Sequence, residues 1–469
     1  MDFLSDYFLL TTNTAKTLYH DYAAAMPIVD YHCHLHPEEI YLDPHFDDIV
    51  EAWLTDGSNY GDHYKWRLMR ANGVPEELIT GSGDPWDKFQ AYAATMERAV
   101  GSPVFLWTHM ELRRYFGITD TLNTRTARDI YERTNAMLAG PDFTRRALLR
   151  RMHVDTICTT DDPADDLAWH ERFAADGGDT FRMLPAMRPD KALNPDKPGF
   201  GEWVERLETA CGDRVTGFDS LMALLAERVD FFHEHGARLS DQAADLVTYD
   251  EATPAELDRI LDKARAGRGL DALEASQFRT ALLVGLMSVF ADHGWTMQLH
   301  LHAMRNVSTR GFAGHGPDTG FDALNDRPVA EPLARLLDAA SRRGGVPKLL
   351  IYSLNPNDYL PIAAVMGCYQ GGGVRQRLAL GNAWWFNDTR AGIRRQLEVM
   401  AEESLLGNAV GMTTDSRSFL SFPRHEFFRR ILCELLGEWA ERGEIPSDEA
   451  WLGGLVRDIS FNNAKALFA

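Results

Sequence analysis

Eight short apolar stretches, each followed by polar residues, alternate with helical sequence along this chain of 469 residues. This alternation constrains the fold more than any other feature, because strands that alternate with helices are typical of a parallel sheet. Eight such units predict an α/β fold of the (β/α)8 TIM type, whose chemistry gathers at the carboxyl ends of the strands. The candidate strands span 27–36, 154–162, 181–190, 237–241 (the weakest), 296–302, 348–355, 377–382 and 410–417.

The helical sequence is unevenly distributed, which indicates insertions into the barrel. Residues 1–39 are predicted to form a leading helix over 5–25 and the first strand. Residues 40–150 are predicted to form a large, mostly helical insertion. Within that insertion, Asp84 as a cap and Pro85 at the first helical position predict a helix that stops at Gly101. Residues 151–469 hold the rest of the barrel, a further helical insertion near 195–290 and C-terminal helices that include an amphipathic one over 424–442.

The formal net charge excludes several classes of partner. With 48 Lys and Arg against 69 Asp and Glu, the chain carries −21 at pH 7. Such a field repels nucleic acid and anionic membrane surfaces, and no apolar run approaches the roughly 18 residues that span a bilayer. A small anionic substrate would also be repelled at long range, so its site needs local arginines.

The five cysteines and the first residues indicate a cytoplasmic protein. The cysteines are odd in number, widely scattered and free of C-x-x-C pairs, which favours reduced thiols. The opening residues lack the basic-then-apolar layout of a signal peptide. We therefore expect a cytoplasmic location.

The first candidate strand ends in His32 and His34, which alternation places on the same face. Two imidazoles at a strand end can hold one divalent metal, with nitrogen ligands that suit zinc and similar ions. A His-x-His pair alone is a weak signal, since two polar residues at the end of a strand give the same pattern. Cys33 between them should point away, and His36 is either an outer group of the site or an ordinary loop residue.

Seven sequence motifs together resemble one enzyme family. A first barrel strand that ends in His-x-His and a last one that ends in an aspartate resemble the amidohydrolase superfamily. Within it the chain resembles the uronate isomerase (glucuronate isomerase) family over nearly its whole length, and the combination is more specific than any single piece. The motifs are Asp30-Tyr31-His32-Cys33-His34-Leu35, Asp62-His63-Tyr64-Lys65-Trp66-Arg67, Arg188-Pro189-Asp190-Lys191, Gly320-Phe321-Asp322, Asn325-Asp326-Arg327-Pro328, Trp384-Trp385-Phe386-Asn387-Asp388 and Thr414-Asp415-Ser416-Arg417-Ser418-Phe419.

The resemblance implies a reversible aldose–ketose isomerisation of small uronate sugars in hexuronate catabolism. The expected reactions are D-glucuronate to D-fructuronate and D-galacturonate to D-tagaturonate, with a proton moving between C2 and C1 through a cis-enediol. That chemistry needs a base, a group that moves protons between two oxygens, and an anchor for the carboxylate. Barrels of this kind often oligomerise, so a homo-oligomer is expected.

The same resemblance assigns four catalytic residues. Asp415 is the expected base and, with His32 and His34, a metal ligand; its alternative is an aspartate that caps a helix after a strand. The planar guanidinium group of Arg417 is suited to bind sugar hydroxyls and the developing enediolate. Its alternative role is a structural ion pair. His63 and Tyr64 match pocket positions of the family, and Tyr64 could move a proton at the aldehyde oxygen.

Arg188, His300 and Trp384 are the expected substrate-binding residues. Arg188 ends the third candidate strand and could be the local cation that an anionic substrate needs, or a surface arginine. After His300 the chain departs from the family, because His302 stands where a glycine is usual and changes the pocket shape expected there. The fourth candidate strand has no lysine that could bridge two metal ions. At most one ion is therefore implied, and zinc is the ion expected.

Two other functions stay open on the sequence. A metal-dependent hydrolase of the same superfamily would use His32, His34 and Asp415 to activate water on an amide, ester or lactone. A barrel that only binds sugar acids would not require Asp415 as a base. The tyrosine and arginine beside these residues favour the isomerase, because simple hydrolysis has no need of them.

Overall fold

Short, buried parallel strands form the centre of the computed structural model, which describes residues 3–55 and 61–468. Strands β1, β2 and β3 pair in that order, and β4, β5, β8 and β9 pair in that order, all in parallel. Strands β6 and β7 form a small antiparallel pair. The strands are β1 (Ile28–Asp30), β2 (Val154–Cys158), β3 (Arg182–Leu184), β4 (Leu239–Ala244), β5 (Thr296–Leu301), β6 (Ala303–Met304), β7 (Ala323–Leu324), β8 (Lys348–Ser353) and β9 (Leu378–Leu380).

Backbone contacts join the two parallel sheets. Met187 forms parallel bridges with Asp161 and with Ser240, which connects the β2–β3 side to β4. On the other side of β1, the Asp415 N–H donates to the carbonyl oxygen of His32 at 3.1 Å. The His34 N–H likewise donates to the carbonyl of Ser416 at 2.9 Å. The α/β fold of TIM type is thus confirmed.

Seven of the eight candidate strands are present, and the eighth differs. Residues 410–417 run beside the end of β1 but form no regular strand in the described structure. Gly411 and Asp415 have φ angles of +83° and +46°, so the backbone enters the left-handed region twice and cannot keep a regular ladder.

The segment after β1 is mostly helical, as predicted, over the part that the structure describes. Asp84 accepts a hydrogen bond from the Trp86 N–H at 2.9 Å and Pro85 takes the first position of its helix. That helix ends at Met96, earlier than expected. The α-helices are Pro37–Leu42, Ile49–Trp53, His63–Ala71, Pro85–Met96, Pro103–Phe116, Ala127–Leu138 and Arg145–Arg151.

Further helices surround the strands from residue 168 onward, and several fall in the predicted insertion near 195–290. The division of the chain into three regions stays a prediction. The α-helices are Ala168–Ala175, Asp190–Leu193, Phe200–Cys211, Phe218–Glu234, Pro254–Arg265, Ala272–Asp292, Thr309–His315, Ala330–Arg343, Tyr359–Gly367, Arg390–Glu403, Pro423–Glu441, Glu449–Arg457 and Asn463–Lys465.

The leading helix is shorter than the prediction for 5–25. It comprises Asn13–Thr17 and a π-helical continuation, Leu18–Ala23, and its Thr12 cap accepts from the Ala15 N–H at 3.1 Å. It packs on the helix Pro423–Glu441, where a Cβ on Gly437 would lie only 2.4 Å from Thr12 Oγ1. Glycine is therefore needed at that crossing. No helix in the described residues is long and apolar enough to cross a membrane.

Candidate active site

All nine residues that the sequence proposes for the site line one cavity of about 780 Å³. They come from the residues just after β1, β3 and β9, from β5, from the helix His63–Ala71 and from the extended segment 410–417. The nine are His32, His34, His63, Tyr64, Arg188, His300, Trp384, Asp415 and Arg417.

The carboxylate of Asp415 is the most heavily contacted group in the cavity. Its Oδ1 lies 2.9 Å from Nε2 of both His32 and His34. Its Oδ2 accepts hydrogen bonds from the indole N–H groups of Trp384 and Trp385 at 2.6 and 2.7 Å. Although burial opposes it, the two histidines hold the pKa of Asp415 well below its usual range, so the group is a carboxylate at neutral pH.

Asp30 fixes the position of this carboxylate. Its buried side chain accepts hydrogen bonds from the hydroxyls of Thr413 and Thr414, both at 2.5 Å, and from the Thr414 N–H at 2.9 Å. Burial raises the pKa of Asp30, whereas these donors favour its charged form. The end of β1 and the residues just before Asp415 are therefore tied together.

His32, His34 and Asp415 form a donor set that could hold a metal ion. Two imidazole nitrogens and a carboxylate oxygen are ligands that suit a divalent ion such as zinc. Burial lowers the pKa of His34 to about 4, so that this imidazole is neutral and able to coordinate. Cys33 turns away as predicted, since its Sγ donates to the Cys158 carbonyl at 3.1 Å.

Asp241 is a site residue that the sequence reasoning missed. It is fully buried at the middle of β4, and its carboxylate lies 2.7 Å from His300 Nδ1, 3.1 Å from Arg188 Nη1 and 3.8 Å from His32 Nδ1. The signal was available, since Asp241 closes the fourth candidate strand. With His32 and His300 it makes a second group with metal-ligand chemistry, in which His32 Nδ1 and His300 Nε2 are buried without a hydrogen-bond partner among the described residues.

Arg188, predicted as a local cation for an anionic substrate, already contacts two carboxylates of the protein. Its Nε donates to Asp190 at 2.7 Å while Nη1 faces Asp241, so two carboxylates balance its charge. These acids raise the pKa of Arg188 against the effect of burial. His300 stacks on Tyr352 with ring centroids 4.2 Å apart and meets Trp384 edge-on at 4.7 Å.

His302 does not share the position of His300. Strand β5 ends at Leu301, and the φ angle of +67° at His302 turns the chain, so the strict alternation assumed from sequence fails there. Its Nδ1 lies 2.7 Å from Asp358 Oδ2. The described lining of the cavity includes His300 but not His302.

The helix His63–Ala71 brings two of the predicted catalytic residues to the cavity. Asp62 caps this helix by accepting from the Tyr64 N–H at 3.0 Å, and the rings of His63 and Tyr64 stack at 4.5 Å. Burial, and then the charge of Arg417, lower the pKa of His63 to about 3. Burial and then Asp415 raise the pKa of Tyr64 well above its usual value, so Tyr64 is a proton donor at neutral pH.

An arm between β5 and β8, residues 303–324, contributes further groups that the sequence reasoning missed. It contains β6, the helix Thr309–His315 and β7, and it places Arg305 and Asp318 in the cavity lining. Arg424, from the helix Pro423–Glu441, also lines the cavity. Only the motif around Asp322 had pointed to the arm, because Arg305 lies just beyond the fifth candidate strand, 296–302, and no candidate strand leads into Asp318.

The fold and the site define a class before any relative is considered: a TIM-type α/β enzyme with a His-x-His pair and a late aspartate, as in the amidohydrolase superfamily. A family model for glucuronate isomerase matches residues 1–468. The chain belongs to this family of aldose–ketose isomerases, as the motifs predicted.

Individual relatives agree with the family. A uronate isomerase of Caldanaerobacter subterraneus is 48% identical over 463 residues, which cover 99% of this chain and 98% of the relative. The uronate isomerase of Serratia proteamaculans is 47% identical over 100% of this chain and 98% of its own length. The crystal structure of uronate isomerase from Thermotoga maritima superposes with a TM-score of 0.92 at 34% identity, covering 100% of both chains.

A more distant structure agrees only in fold. A Lactobacillus casei protein described as a metal-dependent hydrolase superposes with a TM-score of 0.52 at 12% identity, over 96% of this chain and 97% of that one. The TIM-type scaffold is thus common to both chains.

Proposed function

We propose that the chain interconverts D-glucuronate with D-fructuronate and D-galacturonate with D-tagaturonate in hexuronate catabolism. The observation that carries this proposal is the convergence of all nine proposed residues, among them the ionised Asp415, on one cavity. A base and proton donors around a single pocket are what transfer of a proton between C2 and C1 requires.

Asp415 is the proposed base at the reacting carbon. Its carboxylate is ionised and held by four donors, so it meets the sugar in a fixed orientation. Tyr64 is protonated and is proposed to move a proton between the C1 and C2 oxygens, with neutral His63 stacked beside it. Arg417 donates N–H groups to the oxygens on which negative charge develops in the cis-enediol.

His300, Trp384 and Arg188 are the proposed walls of the sugar site. Trp384 offers an aromatic face, and its indole N–H is committed to Asp415. His300 and Arg188 are linked through the buried Asp241, so their positions depend on one another. Their remaining donors are proposed to bind sugar hydroxyls.

We propose that His32, His34 and Asp415 hold one divalent metal ion, and that this ion is zinc. When bound, such an ion supplies Lewis-acid polarisation of a sugar oxygen. All five cysteines are free thiols in the structure, which supports a cytoplasmic location. Assembly into a homo-oligomer is a further expectation, which light scattering of the purified protein tests directly.

Proton NMR of the purified enzyme with D-glucuronate in deuterated water tests the reaction. Growth of ketose signals, with deuterium replacing the C2 hydrogen in returned aldose, is the expected result. A sugar that stays unchanged with metal loaded would contradict the isomerase, and lactones and amides would then test the hydrolase. Metal analysis of wild type and of H34N gives a separate readout, with less bound metal expected in the variant.

A further inference from the structure

Arg424 is a buried cation beside the cavity that no step of the proposed reaction uses. It lies in the first turn of the helix Pro423–Glu441, its side chain is 1% exposed, and it contributes to the cavity lining. An arginine is almost never fully buried unless its charge is paired. The groups around Arg424 therefore indicate what this buried charge does.

Two contacts fix the guanidinium group between the segment of the proposed base and the helix of Tyr64. Nη1 of Arg424 donates to the carbonyl oxygen of Thr414 at 3.2 Å, and Thr414 directly precedes Asp415. Nη2 of Arg424 lies 3.7 Å from Oδ2 of Asp62. Asp62 in turn accepts a hydrogen bond from the Tyr64 N–H at 3.0 Å. The position of this cation is thus set by both parts of the site.

The same guanidinium group faces the ring of Tyr64. Its Cζ atom lies 5.3 Å from the centre of that ring and 4.1 Å from the centre of the Trp107 ring. Trp107 meets Tyr64 edge-on, with the two ring centres 5.8 Å apart. A guanidinium group within about 6 Å of an aromatic ring is attracted to its face. Arg424, Trp107 and Tyr64 therefore form one packed group beside the cavity.

The charge of Arg424 opposes the other influences on the Tyr64 phenol. Burial, and then the carboxylate of Asp415, raise the pKa of Tyr64. Asp388 and Asp62 raise it further, whereas Arg424 lowers it. An ionised phenol is therefore opposed by burial and by three acids, and it is favoured by the guanidinium group of Arg424.

The proposed reaction passes through an ionised phenol. When Asp415 takes the proton from C2, the electron pair of that C–H bond forms the C1–C2 double bond, and Tyr64 gives its phenolic proton to O1. The phenolate then takes the proton of the O2 hydroxyl, C2 becomes the carbonyl carbon, and Asp415 returns its proton to C1. Both side chains end as they began, and Tyr64 is a phenolate once in each turnover.

We propose that Arg424 is a positioning residue of the isomerase, which packs against the ring of Tyr64 and stabilises the phenolate that forms there during proton transfer. It acts through Tyr64, because its two Nη atoms face Thr414 and Asp62. The inference deepens the proposed function and rests on it for the role of Tyr64. Loss of the charge should therefore lower kcat and leave KM nearly unchanged.

A double-mutant cycle on the isomerisation of D-glucuronate tests this role. The variants are R424Q, R424K, Y64F and the double variant Y64F/R424Q, with rates measured by NMR and folding checked by thermal melting. R429Q is the control, because Arg429 is buried in the same helix but donates to the carbonyls of Met26 and Pro27 at 2.7 and 2.6 Å. R429Q is expected to keep kcat within about threefold, even where it melts at a lower temperature.

R424Q is expected to lower kcat about tenfold or more, with KM changed by less than about threefold, because the phenolate loses its cation. R424K keeps the charge and should recover part of that loss. In the Y64F background R424Q should lower kcat no further, since a phenylalanine forms no phenolate. Losses that multiply in the double variant would overturn the proposal. So would an R424K variant no faster than R424Q, or an R424Q variant that raises KM and keeps kcat.

The outcomes separate this proposal from the proposed function. A wild type that isomerises neither hexuronate overturns the reaction and the role of Arg424 together. A wild type that isomerises them, with independent losses from Y64F and R424Q, overturns the role of Arg424 alone. If R424Q does not fold, the same cycle with R424K decides, because its smaller loss must also vanish in the Y64F background.

Discussion

The two sides of the cavity hold their charged groups in different ways. On the strand side, Asp415 and Asp241 are enclosed and each contacts several fixed partners. On the arm side, Asp318 is 37% exposed and contacts two arginines through one oxygen each. A carboxylate that is enclosed among many donors keeps its geometry, whereas a more exposed one with few partners is held less firmly.

This difference suggests a division of labour. The strand side supplies preorganised chemistry, since the donors around Asp415 are in place before any sugar binds. The helix His63–Ala71 carries Tyr64, the proposed proton shuttle, and together with the arm it lines the cavity from outside the sheet. Variants on the strand side should therefore reduce kcat most, and variants on the other side should divide between kcat, KM and stability.

Replacement of the base should produce the largest effect. We expect D415N to lower kcat for D-glucuronate by about 10³-fold or more, because a positioned general base contributes roughly 10²- to 10⁴-fold and the variant also disturbs the histidines. The rate of ketose formation by NMR measures this, with D230N as the control, since Asp230 pairs with His293 on the surface. Retention of a tenth of the activity in D415N would remove Asp415 from the role of base.

Removal of the Tyr64 hydroxyl, on the helix His63–Ala71, should lower kcat less than D415N does. Y64F keeps the ring stack with His63 and removes only the hydroxyl, so we expect kcat to fall by roughly 10²-fold with KM little changed. The same assay measures it, with Y22F as the control, because Tyr22 bonds to Glu449 at the surface. A Y64F variant with normal kcat and raised KM would make Tyr64 a binding residue only.

The strand side was also the more predictable side. His32, His34, His300 and Asp415 lie at or near strand ends, where the pattern of a parallel barrel gathers polar groups, so sequence alone could bring them together. Asp318 follows no such pattern, because its place depends on how the arm packs against Arg67 and Arg70. Arg305 lies just beyond the fifth candidate strand, but no motif marked it. His63 and Tyr64 needed the family resemblance for the same reason.

Local backbone geometry set a second limit. The irregular course of 410–417 and the turn at His302 come from positive φ angles at Gly411, Asp415 and His302, which alternation rules do not anticipate. Asp241 was missed for a different reason, since its stretch, 237–241, has the weakest strand pattern of the eight, so its place at a strand end was less evident.

Asp62, which caps the helix His63–Ala71, should contribute to the stability of the protein rather than to catalysis. Although burial opposes it, Lys65 and Arg424 lower the pKa of Asp62 from 3.8 to about 2. A depressed folded pKa stabilises the protein above the unfolded pKa, and the gain is lost as pH falls from about 3.8 through 2. We expect the free energy of unfolding of D62N to be about 2 kcal/mol lower than that of the wild type at pH 7.

Urea unfolding at pH 7 and near pH 3 measures this contribution. The difference in free energy of unfolding between wild type and D62N should narrow near pH 3, because Asp62 takes up a proton in the unfolded chain below its pKa of 3.8 while it stays ionised in the folded protein down to about pH 2. D48N is the matched control, since Asp48 caps the helix Ile49–Trp53 through the N–H groups of Val50 and Glu51, which asparagine can also satisfy. A gap of the same size at both pH values would show that charge is not the cause.

The smallest effect is expected at His302, where the family resemblance implies a glycine. H302G relieves the strain of a φ angle of +67° and loses the interaction with Asp358, so the two changes offset each other to within about 1 kcal/mol. H302A loses the same interaction but keeps the strain, so it should be less stable than H302G by about 1 kcal/mol. Thermal and urea unfolding compare the two variants.

KM for D-glucuronate should change by less than about threefold in both variants, because the side chain of His302 lies outside the described cavity lining. A tenfold change in KM in H302G but not in H302A would instead mean that the backbone turn at this position shapes the sugar site.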